Sequence, residues 1–192
     1  AIVEAVRALE ARGFLIHWIP PGLNGAVQVD AMTSVLSEET AFVALMLANN
    51  ETGVIQPVGA VAQAARKVGA RVVCDAVQAA GKIPVDVAAL GVDYLVVTGH
   101  KMYGPKGIGA LWVRPGAQVA ARSLGGAQER GSRGGTENVA GAIGLAAACV
   151  LAKDDLATPA QALHIRSLRD AFELRALSTI SGTHVNGAGA QR

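Results

Sequence analysis

Lys101 stands on a short polar loop, Thr98-Gly99-His100-Lys101-Met102-Tyr103-Gly104-Pro105-Lys106-Gly107, between two apolar runs. A primary amine placed there can condense with an aldehyde, and glycines on either side let the backbone come close to a ligand. Thr98 and His100 add a hydroxyl and an imidazole, groups that can meet an anion such as a phosphate. Asp75 closes the apolar run Arg71-Val72-Val73-Cys74 and can set a negative charge against a protonated nitrogen. Gln78 follows it closely, and Asn50 lies in the polar stretch Asn49-Asn50-Glu51-Thr52-Gly53. Each residue also has a purely structural reading. Lys101 can be a solvated turn lysine, Asp75 can cap a strand-to-helix junction, and Gln78, Asn50, Thr98 and His100 can simply stabilise loops.

The elements that would carry these residues follow from hydrophobic periodicity. Ile2, Val3, Val6 and Leu9 share one helical face within residues 2–12, and Gly13 stops the pattern. Residues 14–19 read as a strand, Pro20-Pro21-Gly22 and Asn24-Gly25 as turns, and a short helix starts near Asp30. Strands are expected over 41–48, 71–74, 94–97 and 108–113, with a helix over 58–68 ending at Gly69. Two more helices are expected over 137–151 and 160–177, after which 178–185 would begin a strand of a smaller domain. Alternating strands and helices predict an α/β fold: a mostly parallel sheet with helices on both faces, whose ligands bind beyond the carboxyl ends of the strands. Asn50, Asp75 and Lys101 all fall at such ends. The division expected is a ligand-binding domain over 1–150 and the start of a second unit over 151–192.

With 192 residues, 51% of them hydrophobic, the chain can bury a core. A net charge of +2, from 17 basic and 15 acidic residues, gives no field that argues for nucleic acid or a membrane surface as partner. No apolar run reaches the ~18 residues of a membrane span. Cys74 and Cys149 lack CxxC spacing, which speaks against a metal site or a disulfide framework and for a reducing, cytoplasmic setting. Alternation along the strand turns Cys74 away from the face of Asp75, and Cys149 lies in an apolar helix, so both are expected to be small buried hydrophobes. The chain opens at Ala1, already within a helical pattern, and the expectation is that the natural N-terminus lies further upstream.

Pyridoxal 5'-phosphate requires a lysine for its aldehyde, an acid for its ring nitrogen, donors for its phenolic oxygen and a cradle for its phosphate. Lys101, Asp75, Gln78 with Asn50, and Thr98 with His100 can supply these in turn. Residues 125–136, rich in glycine and arginine, can serve as an anion loop or as a surface loop. Neither GxxxxGK[ST] nor an early GxGxxG is present, so a nucleotide has little support.

Taken together, Asn49-Asn50-Glu51-Thr52-Gly53, Asp75-Ala76-Val77-Gln78, the loop from Gly99 to Gly107 and Arg133-Gly134-Gly135-Thr136-Glu137-Asn138 resemble the NifS/IscS-type cysteine desulfurases, class V aminotransferases of pyridoxal-phosphate fold type I. The resemblance covers essentially the whole chain. It implies that Lys101 is the Schiff-base lysine and Asp75 the partner of the pyridinium. Gln78 and Asn50 would contact the phenolic oxygen, and Thr98 and His100 the phosphate. Thr136 would reach the phosphate of a partner subunit's cofactor, which implies a homodimer. Thr98 and Gly134 stand where the family commonly has serine. The family's ring-stacking histidine would fall just before Ala1, and its nucleophilic cysteine and carboxylate-binding arginine well beyond Arg192. The chain is therefore expected to be an internal fragment: most of a large cofactor domain and the beginning of a small α+β domain. The implied activity of the whole protein is conversion of L-cysteine to L-alanine, with sulfur left on an enzyme cysteine for an iron-sulfur scaffold or another sulfur acceptor. Two alternatives stay open: another class V enzyme, such as a selenocysteine lyase or a small-amino-acid aminotransferase, and an inactive chain that serves only in binding or dimerisation.

Overall fold

The structure, a computed structural model, describes residues 2–192 except the side chains of Pro159 and Gln161; Ala1, where the first expected domain begins, lies outside the described residues. Helix α1 (Ile2–Glu10) is followed by an irregular segment, and α2 (Val29–Thr33) leads into β1 (Phe42–Met46). Helix α3 (Val58–Lys67), β2 (Arg71–Asp75), α4 (Val87–Leu90), β3 (Tyr94–Thr98) and β4 (Gly109–Val113) complete a sheet of order β1-β2-β3-β4. The first three strands run parallel and β4 returns antiparallel along β3. A two-stranded hairpin, β5 (Ala127–Gln128) and β6 (Arg133–Gly134), precedes the long helices α5 (Val139–Leu156) and α6 (Pro159–Thr179).

Strand register sorts the side chains into two faces. Val43 pairs with Val72, and Leu45, Cys74 and Leu95 form the next row, so alternation sends these residues to one side. There they meet Val58, Val61, Ala62 and Ala65 of α3 in the main core. Burying a valine of this kind contributes about 1.5–3 kcal/mol. Met46, Asp75 and Val96 form a row on the other side, which is half-buried along β2 and β3 and exposed at Ala44 and Leu111. Cys74 thus lies wholly in the core while the adjoining Asp75 looks out over the open face.

Several expectations are corrected. Residues 14–19 form no strand: they pair with no strand among the described residues, and Phe14, Leu15 and Trp18 are exposed. The strand expected over 178–185 is absent because α6 continues to Thr179 and turns follow. Those turns lead the chain back, and the carbonyl of Gln191 accepts the Ile55 amide at 2.8 Å. Cys149 is exposed rather than buried, since α5 covers only the stripe that includes Gly141 and Ala148. Helix α5 also runs on to Leu156, past the expected end.

Candidate active site

Because β1, β2 and β3 are parallel, their carboxyl ends share one edge, and Asn50, Asp75 and Lys101 each belong to the segment leaving one of them. Such an edge is where open α/β sheets hold ligands. At the end of β2, one oxygen of Asp75 accepts the Val77 amide at 3.0 Å, turning the chain inward toward Gln78. The other oxygen has no protein partner among the described residues and remains open to a donor. Gln78 is half-buried just beyond it.

Thr98 ends β3 in an extended conformation, and Gly99 to Lys101 form one turn of 3-10 helix. The loop is closed at its base: the Gly99 amide and the Thr98 hydroxyl both donate to the Ile108 carbonyl, at 2.9 and 3.2 Å. Inside it, the amides of Met102 and Gly104 donate to the Gly99 carbonyl, each at 2.9 Å. A side chain at Gly99 would place its Cβ 2.8 Å from the Pro105 carbonyl oxygen, so the tight wrap depends on glycine there. Helix α5 comes equally close. A Cβ at Gly144 would lie 2.5 Å from Cγ of Pro105, and Ala148 packs with Met102 and Ala80 beneath the loop.

His100 Nδ1 lies 3.1 Å from Thr98 Oγ1. While the single hydroxyl hydrogen serves Ile108, the contact requires Nδ1–H to donate to Oγ1, leaving Nε2 to accept, or to donate once the ring is protonated. A phosphate arriving here would therefore meet an imidazole already oriented, and Thr98 would donate to it by rotating its hydroxyl away from Ile108. The Lys101 side chain is exposed and its Nζ has no hydrogen-bond or ion-pair partner among the described residues. Lys101 borders a groove of about 610 Å³ together with Lys82, Met102, Tyr103, Pro105 and α5 as far as Asp155.

Not every sequence-chosen residue converges. Thr98 and His100 touch, and Asp75 is paired with Val96, the residue two positions before Thr98. Neither Asp75 nor Gln78 lines the groove that Lys101 borders. Asn50 is exposed at a turn, and it is Asn49 that organises this turn, its oxygen accepting the Glu51 and Thr52 amides at 2.9 Å each. Thr136 is exposed just past the hairpin, whose main contacts are internal. Residues 125–136 form that hairpin, and the N-terminus of α5 is capped by Asn138, which accepts the Gly141 amide at 2.9 Å. Sequence reasoning passed over Asn49 and Lys82. A sequence signal existed for the first, since an Asx turn is announced by asparagine followed by polar residues and glycine.

The donor chemistry fits a phosphorylated pyridine aldehyde. An open carboxylate oxygen, an oriented hydroxyl–imidazole pair and an unpaired amine occur along one strand edge, and no buried side-chain polar atom among the described residues lacks a partner that another ligand would have to satisfy.

These features define an α/β protein whose ligand edge carries a lysine on a closed loop. The sequence matches the aminotransferase class-V family over residues 1–192, and the chain belongs to that family. It is 42% identical over 192 residues to a cysteine desulfurase of Klebsiella pneumoniae, covering 100% of this chain and 48% of that protein. Among solved structures it is similar to DndA from Streptomyces lividans, with a TM-score of 0.84 and 32% identity over 97% of this chain and 55% of that one. It is also similar to SspA in complex with cysteine, with a TM-score of 0.74 and 32% identity over 77% of this chain and 43% of that one. The chain spans about half the length of the relatives it matches.

Proposed function

We propose that the protein containing these residues is a pyridoxal-phosphate-dependent cysteine desulfurase that converts L-cysteine to L-alanine and passes the sulfur to a cysteine of its own outside this chain. The observation that carries the reading is Lys101, an unpaired amine on a closed loop at the sheet edge where Asp75 keeps an open carboxylate oxygen, in a chain 42% identical over its length to a cysteine desulfurase. Bound there, the cofactor supplies an electron sink for negative charge at the substrate's α-carbon.

The chain's own residues do the rest. Asp75 accepts a hydrogen bond from the ring nitrogen and keeps it protonated, because a carboxylate beside a pyridinium favours the charged form. Thr98 and His100 donate to the phosphate, and Gln78 and Asn50 hold the phenolic oxygen. Lys101 would hold the cofactor's aldehyde carbon, and its free amine would carry the proton to and from the substrate's α-carbon. Thr136 serves the phosphate of a partner subunit, so the protein works as a homodimer. The sulfur acceptor is an iron-sulfur scaffold or another thiol-bearing protein, and the setting is cytoplasmic; among the described residues no helix is long and apolar enough to cross a membrane. Residues 1–150 hold the cofactor and 151–192 lead into the second unit.

The test uses the full-length protein with L-cysteine and a thiol reductant, which reduces the enzyme-bound sulfur so that it leaves as sulfide. Release of alanine and sulfide, abolished in Lys101→Ala, is the expected result; a wild-type holoenzyme that produces neither overturns the assignment.

A further inference from the structure

Lys82 is far from Lys101 in sequence, yet its ammonium donates to the Lys101 carbonyl oxygen at 3.0 Å. That carbonyl terminates the 3-10 turn, where the last acceptors have no partner within the turn. Among the described residues Lys82 is its only donor. The peptide it pins joins Lys101 to the buried Met102, and the next residue, Tyr103, has a φ of +60°, a left-handed conformation that strains a non-glycine residue. The chain just past the amine is therefore strained, and the one side-chain hydrogen bond that reaches this peptide from outside the loop is that of Lys82.

Electrostatics do not explain the placement. Burial, and then the charge of Lys101, make Lys82 harder to protonate than a free lysine. Asp155 of α5 and Tyr103 also line the groove, but no carboxylate forms an ion pair with Lys82 among the described residues. A lysine kept beside another lysine, without an acid, is spending its hydrogen bond on the backbone carbonyl.

We propose that Lys82 is a positioning residue for Lys101: by fixing the Lys101–Met102 peptide plane it sets the direction in which the Lys101 side chain leaves the loop. This rests on the reading of Lys101 as the Schiff-base lysine. Removing the donor frees the peptide plane, lets Tyr103 relax, and widens the range of directions open to the amine.

The experiment compares Lys82→Met, which keeps the aliphatic stem and loses the donor, with Lys82→Arg, which restores one, in the full-length protein. In the cofactor-free state, hydrogen exchange at Met102 and Gly104, whose amides donate to the Gly99 carbonyl, is expected to quicken about tenfold in Lys82→Met. In the holoenzyme, cofactor release should quicken about fivefold or more. The pH midpoint of the visible cofactor band should rise, because a nearby positive charge has been removed. Lys82→Arg should return all three toward wild type. Unchanged exchange and spectra in Lys82→Met, while Lys101→Ala loses the band, overturn the role of Lys82 alone. Retention of the band in Lys101→Ala overturns the reading of Lys101 and this proposal with it. If Lys82→Met does not fold, Lys82→Gln replaces it, and a loss of thermal stability that Lys82→Arg fails to restore marks the tie as merely structural and overturns the proposal.

Discussion

Asp93 and Asp75 stand near opposite ends of the same sheet and have been given opposite surroundings. Asp93 is 7% exposed. One of its oxygens accepts the Val72 amide at 2.8 Å, and the other faces Arg114 at 3.4 Å and Arg71 at 3.8 Å. Arg114 in turn donates to the carbonyls of Gly91 and Val92, at 2.7 and 3.2 Å. Every acceptor there has a partner from the chain. Asp75 is half-buried, gives one oxygen to Val77 and holds the other in reserve. The same residue type is a fastening at one end of the sheet and an unfilled valence at the other, and the difference lies in what the neighbouring elements leave unsatisfied.

Substitution separates the two roles. Asp75→Ala in the full-length protein should lower the proposed desulfurase activity about 100-fold or more, the cost of losing one charge-assisted contact in a reacting site. Its urea unfolding midpoint should change little. Asp93→Ala should do the reverse, lowering stability by about 3 kcal/mol because a buried amide and a guanidinium lose their acceptor together. An Asp75→Ala protein as destabilised as Asp93→Ala would dissolve the contrast.

The smallest effect concerns the cysteines beside these strands. Burial, with a lesser push from the charge of Asp75, raises the Cys74 thiol to about 12 from its ordinary 9.0. The folded state therefore holds this proton while the unfolded chain releases it. The resulting stability is fully present below about pH 9 and is lost as the pH rises toward about 12. Unfolding midpoints should fall with alkaline pH less steeply in Cys74→Ala than in wild type. A disulfide reagent should modify exposed Cys149 promptly in the folded protein and reach buried Cys74 only in denaturant.

The strands that position Asp75 and Lys101 are legible in the sequence because each is an apolar run closed by a polar or glycine residue, and β1, β2, β3 and β4 lie where those runs predict. Phe14 to Ile19 has the same texture without the same result, since a strand exists only with a neighbour to pair with, and pairing is not encoded locally. The hairpin of β5 and β6 escapes notice because its strands of two residues show no alternation. Exposure of Cys149 is equally hidden: up to Ala152 α5 is apolar all round, so periodicity cannot say which stripe is covered. At the site, residue types single out Lys101, Asp75, Thr98 and His100 as candidates, but they cannot announce that Lys82 holds the Lys101 carbonyl from 19 positions away.

The antiparallel return of β4 has a consequence for the order in which the molecule assembles. Thr98 and Ile108 meet across a span of 10 residues, whereas β1 reaches β2, and β2 reaches β3, only after an intervening helix has been laid down. Short closures lose little chain entropy and form early, while parallel pairings wait for longer segments to be ordered. The amine is thus mounted on the piece of the sheet closed by the shortest span of chain, while the strand that carries Asp75 pairs only across longer ones.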